Sequence, residues 1–353
     1  MGTHCGGRRF LPTILAVTLS TSIAAAQESY SPHVDRTYPT NIYWGDTHVH
    51  TVLSGDAYAF GARLSPAEAY RFARGETVRA DSGQEVRLSR PLDFLMVADH
   101  AENLGALPAL VAGDEAIAAT DEGTRWAAVL AELAPIADIL RAESVEEFDR
   151  WYAALGKVKA AWSADYGIEA GFQRSMWHEV ITAAERYNEP GRFTAFAGFE
   201  WSARSESKRM IHRNVLFADG PHRTRQVLPF SRFDSDDPED LWAYLRAYEE
   251  RTGGQVIAIP HNGNMSSGKM FALTRFSGEE LTREHALSRS RWEPIYEVTQ
   301  IKGDGESHPL LSPDDEFAGF EPFPENLGRE NTGSEETASS YARSALKLGL
   351  GLA

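Results

Sequence analysis

Six short apolar runs of strand-forming residues recur along this 353-residue chain, and each meets a cluster of polar side chains. The runs are nearly continuous in apolar residues, as strands buried on both faces of a parallel sheet require. They are Asn41–Asp46, Leu92–Ala98, Phe193–Phe199, His212–Phe217, Gln255–Pro260 and Ile295–Ile301. Helical patterns lie between them, and the order strand, helix, strand predicts an α/β domain with a parallel sheet, open or closed.

Three helical segments stand out between the runs. Ser65 is the predicted N-cap of a helix from Pro66 to Arg74. A second helix is predicted from Asp237 to Arg251, with Gly253 just beyond its end. Residues from about 105 to 190 are rich in helix-forming types, and we interpret them as a helical insertion.

The first 26 residues have the pattern of a cleaved signal peptide. Arg8 and Arg9 precede a mostly apolar stretch, and Ala24 and Ala26 satisfy the small-x-small cleavage rule. The alternative is a membrane anchor, but the apolar stretch is shorter than the roughly 20 residues a span needs. We therefore expect a mature domain over residues 27–353 that is periplasmic or secreted and has no membrane contact after cleavage.

Charge and cysteine content restrict the partners and the metal ligands. The chain carries 51 acidic and 35 basic side chains, a net charge of −16, which disfavours non-specific binding to nucleic acid. We expect a small-molecule substrate instead. The one cysteine, Cys5, lies within the predicted signal peptide, so any metal site in the mature chain must use histidines and carboxylates.

Histidines at the ends of these runs are the candidate metal ligands. His48 and His50 are two residues apart in a strand pattern, so both imidazoles face the same side. His100, Glu200 and His261 each follow an apolar run, whereas His212 opens one. Each residue by itself has an ordinary explanation, such as a buried ion pair of Glu200 with a nearby arginine or lysine. Their joint occurrence at strand ends favours a metal cluster.

The same motifs resemble the polymerase-and-histidinol-phosphatase (PHP) superfamily of metal-dependent phosphoesterases, specifically its exported branch. The residues that carry the resemblance are Gly45–Thr51, Ala98–His100, Gly198–Trp201, Ile211–Asn214, Ile259–Asn264, Gln300–Gly303 and Ser312–Phe317. The resemblance implies a distorted (β/α)7 barrel that holds two or three divalent ions of zinc, manganese or iron. It does not indicate a substrate.

The resemblance also implies a role for each candidate metal ligand. His48 and His50 are expected to bind the first ion, Glu200 to bridge to a second ion bound by His212 and His261, and His100 to bind a third. Asp56 and Asp99 are the candidate catalytic carboxylates, and Asp56 lies where the superfamily often has a further metal ligand. The candidate substrate-binding residues are Arg213, Asn262 and Lys302.

One feature of the superfamily is missing from the chain. Its last motif is an Asp-x-His after a final strand, and no such motif follows residue 308. The six predicted strands are also one fewer than a seven-stranded barrel contains. We therefore expect a C-terminally truncated copy that lacks the last strand and ends in a helix-like run over residues 341–350.

Two functions remain open from the sequence. The first is a metal-dependent hydrolase that uses a metal-activated water on a phosphate ester or a similar small polar substrate. The alternative is a catalytically inactive exported protein that binds a metal or a ligand. The metal content of the protein distinguishes them, because a full cluster favours catalysis.

Overall fold

A computed structural model describes residues 1–2, 41–133, 163–205, 209–322 and 338–352, and four single residues between 144 and 160. The chain divides into two compact units, Met1–Ile42 and Tyr43–Ala353, and all elements below belong to the second. The strands are β1 (Gly45–Val49), β2 (Val78–Arg79), β3 (Glu85–Val86), β4 (Phe94–Val97), β5 (Thr194–Trp201), β6 (Arg213–Phe217), β7 (Val256–Pro260), β8 (Thr299–Gln300) and β9 (Gly303–Asp304). The α-helices are α1 (Gly55–Ala59), α2 (Pro66–Ala73), α3 (Ala106–Ala112), α4 (Glu115–Ala118), α5 (Asp121–Leu133), α6 (Ala170–Tyr187), α7 (Pro221–Thr224), α8 (Pro238–Thr252), α9 (Arg283–Trp292) and α10 (Ala342–Leu352).

The main sheet is mixed, with five strands in the order β1-β4-β5-β6-β7. Strands β1, β4 and β5 are parallel, but β6 is antiparallel to both β5 and β7. The prediction of an all-parallel sheet is therefore wrong for β6. The sheet curls into a half-barrel, which brings the Asn214 side chain on β6 to 3.3 Å from the Thr47 carbonyl oxygen on β1, to which it donates, across two intervening strands. The fold is mixed α/β.

Five of the six predicted strands form this sheet, and the sixth does not. In the run Ile295–Ile301, only Thr299 and Gln300 form a strand, which pairs with β9 in a separate hairpin. The backbone N–H of Glu297 donates to the Pro260 carbonyl oxygen at 3.0 Å, so the run crosses the end of β7. Tyr296 packs against the core, but the other apolar side chains of the run, Ile295, Val298 and Ile301, are exposed.

Both predicted helices are confirmed, with the expected caps. Ser65 accepts from the Glu68 backbone N–H, and the Glu68 carboxylate accepts from the Ser65 backbone N–H, which forms a capping box at the start of α2. Asp237 caps α8, and Gly253 ends it with φ of 64°, the left-handed conformation that glycine adopts without strain. Each cap supplies a partner for a backbone group that has none within the helix.

Large aromatic side chains fill the space between the sheet and the helices. Trp177 of α6 packs edge-on against Phe199 of β5, with ring centroids 5.9 Å apart, and Phe217 of β6 lies at the same distance from Trp177. All three are at most 1% exposed. This packing covers one face of β5 and β6 and leaves the opposite face, at the strand ends, for polar residues.

Other predicted segments are covered only in part. Helices α3 to α6 occupy the described parts of the predicted insertion. The predicted signal peptide lies outside the described residues, apart from Met1 and Gly2. Among the residues that the structure describes, no helix is both long and apolar enough to span a bilayer. The helix-like run at 341–350 is confirmed as α10, on which Leu346 and Leu350 are exposed.

Candidate metal centre

The predicted ligands converge at one edge of the main sheet. His48 lies in β1 and His50 directly after it, His100 follows β4, Glu200 lies near the end of β5, and His261 follows β7. These are the carboxyl ends of four strands that run in the same direction, so the side chains meet although they are distant in sequence. His212 precedes β6, and because β6 is antiparallel, its start lies at this same edge.

Glu200 is the centre of the cluster, and it is fully buried. Its Oε1 atom lies 2.6 Å from His212 Nδ1 and 2.8 Å from His261 Nε2. Its Oε2 atom faces the other three imidazoles, at 2.9 Å from His50 Nε2, 3.2 Å from His100 Nδ1 and 3.6 Å from His48 Nε2. One carboxylate therefore contacts all five histidines through its two oxygens.

Asp56 adds a second carboxylate to the cluster from the first turn of α1. Its Oδ1 lies 3.1 Å from His50 Nδ1, and its Oδ2 lies 3.2 Å from His100 Nε2. Burial alone would raise the pKa of Asp56, but the imidazoles of His100 and His50 hold it well below its usual value. Asp56 is therefore ionised and can serve as a ligand.

Two compact groups of potential ligands result from this arrangement. The first contains His48, Glu200 and His261, and the second contains His50, Asp56 and His100; within each group the ligand atoms lie within 4.8 Å of one another. This grouping differs from the expected one, which placed His48 and His50 on the same ion. His212 contacts the shared Glu200 through Oε1.

The protonation of the histidines differs between the two sides of Glu200, the Oε1 side with His212 and His261 and the Oε2 side with His50 and His100. Burial lowers the pKa of His261 to about 3 and that of His212 to about 4, so both imidazoles are neutral near pH 7. For His50 and His100, burial also acts to lower the pKa, but Asp56 and Glu200 raise it above the usual value. A metal ion must displace protons on this second side, because ligand imidazoles bind in their neutral form.

Three features show that these residues fit a metal ion. Three imidazole nitrogens lie near Glu200 Oε2, yet none of the described residues forms a hydrogen bond with this atom. The Nε2 atoms of His48 and His50 face each other at 3.1 Å, which brings two lone pairs together unless a proton or a cation lies with them. The donors are imidazole nitrogens and carboxylate oxygens, a set typical of zinc, manganese and iron. The buried cluster of histidines and glutamate can hold a metal ion.

The structure places Asp99 beside the cluster rather than in it. Its carboxylate accepts from the Thr51 backbone N–H at 2.5 Å and from the Thr51 hydroxyl at 2.6 Å. Burial raises its pKa to about 6, against the lowering effect of His50 and Thr51. Asp99 thereby holds the loop that carries His50 against the end of β4.

Three further residues of the site were missed by the sequence analysis. Glu297 accepts from His48 Nδ1, at 2.9 and 3.0 Å to its two oxygens. The Ser54 hydroxyl contacts His50 Nδ1 at 2.9 Å, and the Ser202 hydroxyl contacts His100 Nδ1. An acid inside the apolar run Ile295–Ile301 was a signal for Glu297, but the serines lack any feature that distinguishes them from other serines.

The predicted substrate-binding residues lie in different places. Arg213 is buried in an ion pair with Glu293, its Nε 3.0 Å from Glu293 Oε1, and it is not part of the cluster. Asn262 follows His261 in the left-handed conformation and accepts from the Gln300 side chain. Lys302 lies near enough that its charge helps to lower the pKa of His212, after the larger effect of burial. Asn262 and Lys302 therefore lie beside the cluster.

Replacing Glu297 with alanine should weaken metal binding roughly 10–100-fold, the usual cost of losing a hydrogen-bond partner of a ligand histidine. Without the carboxylate, His48 Nδ1 has lost the acceptor that orients the ring with Nε2 towards Glu200. Competition against a chromophoric chelator measures the affinity. The exposed Glu284, on α9, is the matched control for Glu→Ala. An unchanged affinity in Glu297→Ala would contradict this role.

Comparison with known proteins identifies the family. The profile described as "Protein of unknown function (DUF3604)" matches residues 37–353. The chain belongs to this family. The match covers every residue of the cluster in the DUF3604 domain, from His48 to His261, and also Glu297. No curated protein matches the chain, and no solved structure does so either.

Proposed function

We propose that this DUF3604 domain is a metal-dependent hydrolase that binds two, or at most three, divalent ions of zinc, manganese or iron. The observation that carries the proposal is the position of Glu200, whose two oxygens contact separate groups of imidazoles. A carboxylate in this position is suited to bridge two ions. Bound divalent ions would supply a water of lowered pKa and polarise the bond under attack.

The residues of the chain have distinct tasks in this proposal. His48, His261 and Glu200 would hold one ion, while His50, His100 and Asp56 would hold the other. Glu297 orients His48, and Asp99 positions the loop of His50 through Thr51. Lys302 provides a positive charge near His212 for an anionic group of the substrate.

The substrate class rests on resemblance and on charge. The motifs around His48, His100, Glu200, His212 and His261 resemble those of the PHP superfamily, whose members are metal-dependent phosphoesterases. A net charge of −16 disfavours nucleic acid, so a small phosphate ester or a similar polar molecule is the proposed substrate. The same proposal includes the fold: the half-barrel sheet would be part of a seven-stranded barrel like that of the superfamily.

Hydrolysis of a generic phosphate ester tests the proposal. The purified protein should contain metal and hydrolyse p-nitrophenyl phosphate, lose activity after chelation, and regain it with zinc, manganese or ferrous iron. Bound metal without hydrolysis of any ester, amide or lactone in a broad panel would favour the alternative, a metal-binding protein without catalysis. Absence of metal from protein grown with all three ions would contradict the hydrolase and favour the alternative, a catalytically inactive protein that binds a metal or a ligand.

We also propose that the protein is exported to the periplasm or the medium. Arg8, Arg9 and the apolar stretch that ends at Ala26 support a cleaved signal peptide, and a mature chain without cysteine tolerates an oxidising compartment. The expected mature N-terminus is Gln27. Sequencing the N-terminus of the protein from a cell envelope fraction checks this, and recovery of residues 1–26 on the exported chain would contradict cleavage.

A further inference from the structure

A cleft lies on the face of β6 opposite the metal cluster. Side chains alternate along a strand, so Arg213 points away from the side on which Asn214 approaches β1. The cleft that Arg213 lines is open to solvent and has a volume of about 80 Å³, which suits a small ligand that is only partly enclosed. Its other principal lining residues are Trp242, Lys269, Arg275, Phe276 and Arg289.

The inner end of the cleft carries an excess positive charge. Arg213 and Arg289 share a single carboxylate, that of Glu293, with their Nε atoms 3.0 Å from its two oxygens. Glu293 is ionised, because the two arginines hold its pKa below the usual value against the raising effect of burial. The three charges therefore sum to +1, and Glu293 and Arg213 are almost fully buried.

Both arginines retain unused donors. Arg213 bonds through Nε to Glu293 and through Nη1 to the Ile211 carbonyl oxygen. Arg289 bonds through Nε to Glu293 and through Nη2 to the Met270 carbonyl oxygen. The remaining nitrogens, Arg213 Nη2 and Arg289 Nη1, donate to none of the residues that the structure describes. Two guanidinium groups with free N–H donors match the two oxygens of a carboxylate.

The outer part of the cleft divides into a charged rim and an apolar wall. Lys269 is exposed on the rim. Arg275 pairs with both Glu239 and Glu279, so these three side chains together carry a net charge of −1. Trp242 and Phe276 line the wall, so an anionic head would lie beside a surface suited to a hydrocarbon body.

We propose that this cleft is a second ligand site, which binds a small organic carboxylate with an aromatic or aliphatic body. The carboxylate takes the free donors of Arg213 and Arg289 and the charge of Lys269, and the body packs on Trp242 and Phe276. The site does not depend on the proposed hydrolase activity, since none of these residues contacts the metal cluster. Strand β6 joins the two sites, with His212 before it on one side and Arg213 on the other.

Calorimetric titration with benzoate tests the site, with benzyl alcohol as the neutral probe of the same size and acetate as the probe without a body. Benzoate should bind one to one, at least about 10-fold more tightly than either control, because only benzoate satisfies both the charged donors and the apolar wall. The full-length protein should give the same benzoate affinity before and after chelation of metal. An affinity that disappears with the metal would place the carboxylate on the metal cluster and overturn the proposal.

Two variants locate the binding. Lys269→Glu reverses a charge on the exposed rim and should weaken benzoate at least 10-fold, whereas Lys347→Glu on the exposed face of α10 should not. Ala272→Phe places a ring in the cleft and should abolish binding. Equal binding of benzoate and benzyl alcohol, or an unchanged affinity in Lys269→Glu, would overturn the proposal even if Ala272→Phe proved unstable.

Discussion

Replacing Glu200 with alanine is expected to remove bound metal from the protein and to abolish any hydrolysis. Among the residues that the structure describes, Glu200 is the one carboxylate that contacts histidines of both compact groups, His261 in the first and His50 and His100 in the second, so its loss affects both ions at once. The decrease in affinity should exceed the roughly 10–100-fold expected for Glu297→Ala, because a ligand is lost rather than its hydrogen-bond partner. Metal analysis of the purified variant by mass spectrometry gives the stoichiometry directly.

A matched set of variants separates loss of a ligand from loss of the fold. Glu200→Gln keeps the size of the side chain and removes the charge, so it should also lose metal while circular dichroism remains native. His178→Ala, on α6 and away from the cluster, should keep the metal content of the wild type. Retention of the full metal content by Glu200→Ala would refute the assignment of the two-ion centre and, with it, the proposed hydrolase mechanism.

Replacing Glu293 with glutamine should destabilise the protein by about 3–5 kcal/mol, the range measured when one partner of a buried ion pair is removed. Glu293 neutralises Arg213, and both side chains are at most 3% exposed. It also accepts from the Trp242 indole N–H at 2.9 Å. The variant leaves the Arg213 guanidinium buried without a counter-charge. Urea unfolding, followed by tryptophan fluorescence, measures the change in free energy.

Glu76→Gln is the matched control, because Glu76 also lies beside two arginines but at the surface. Arg71 Nε lies 3.1 Å and Arg74 Nε 3.8 Å from its carboxylate, which is 43% exposed. Water screens these charges, so the expected loss is below about 1 kcal/mol. Similar losses for the two variants would contradict the importance of burial at Glu293.

The pH dependence provides a second measurement on the same pair. Burial would raise the pKa of Glu293, but Arg213 and Arg289 hold it below the usual 4.5. A carboxyl group with a lowered folded-state pKa stabilises the protein fully above the unfolded pKa and loses this contribution as the pH falls through the folded pKa. The difference in stability between wild type and Glu293→Gln should therefore be largest near neutral pH, and it should decrease as the pH falls below 4.5.

In the main sheet, the local sequence pattern predicted where strands form, whereas long-range pairing decided which strands are neighbours and in which direction they run. Apolar runs predicted five of its strands, because burial of a strand leaves a local mark on the sequence. The same pattern misidentified Ile295–Ile301, since apolar residues alone do not specify a pairing partner. The sequence pattern also did not indicate the direction of β6, because a buried strand has the same composition whether its neighbours run parallel or antiparallel.

The candidate centre divides in the same way. The sequence by itself determined which residue types could be ligands, because His48 and His50 must share a face of β1 and the polar residues after apolar runs must lie at strand ends. Only the tertiary structure decided that His212 joins them through the antiparallel β6, and that Glu297 meets His48 across 249 positions. It also decided that Arg213 pairs with Glu293 on the other face. The physical reason is that side-chain alternation and burial follow from neighbouring residues, whereas strand direction and contacts between distant residues follow from the packing of the whole domain.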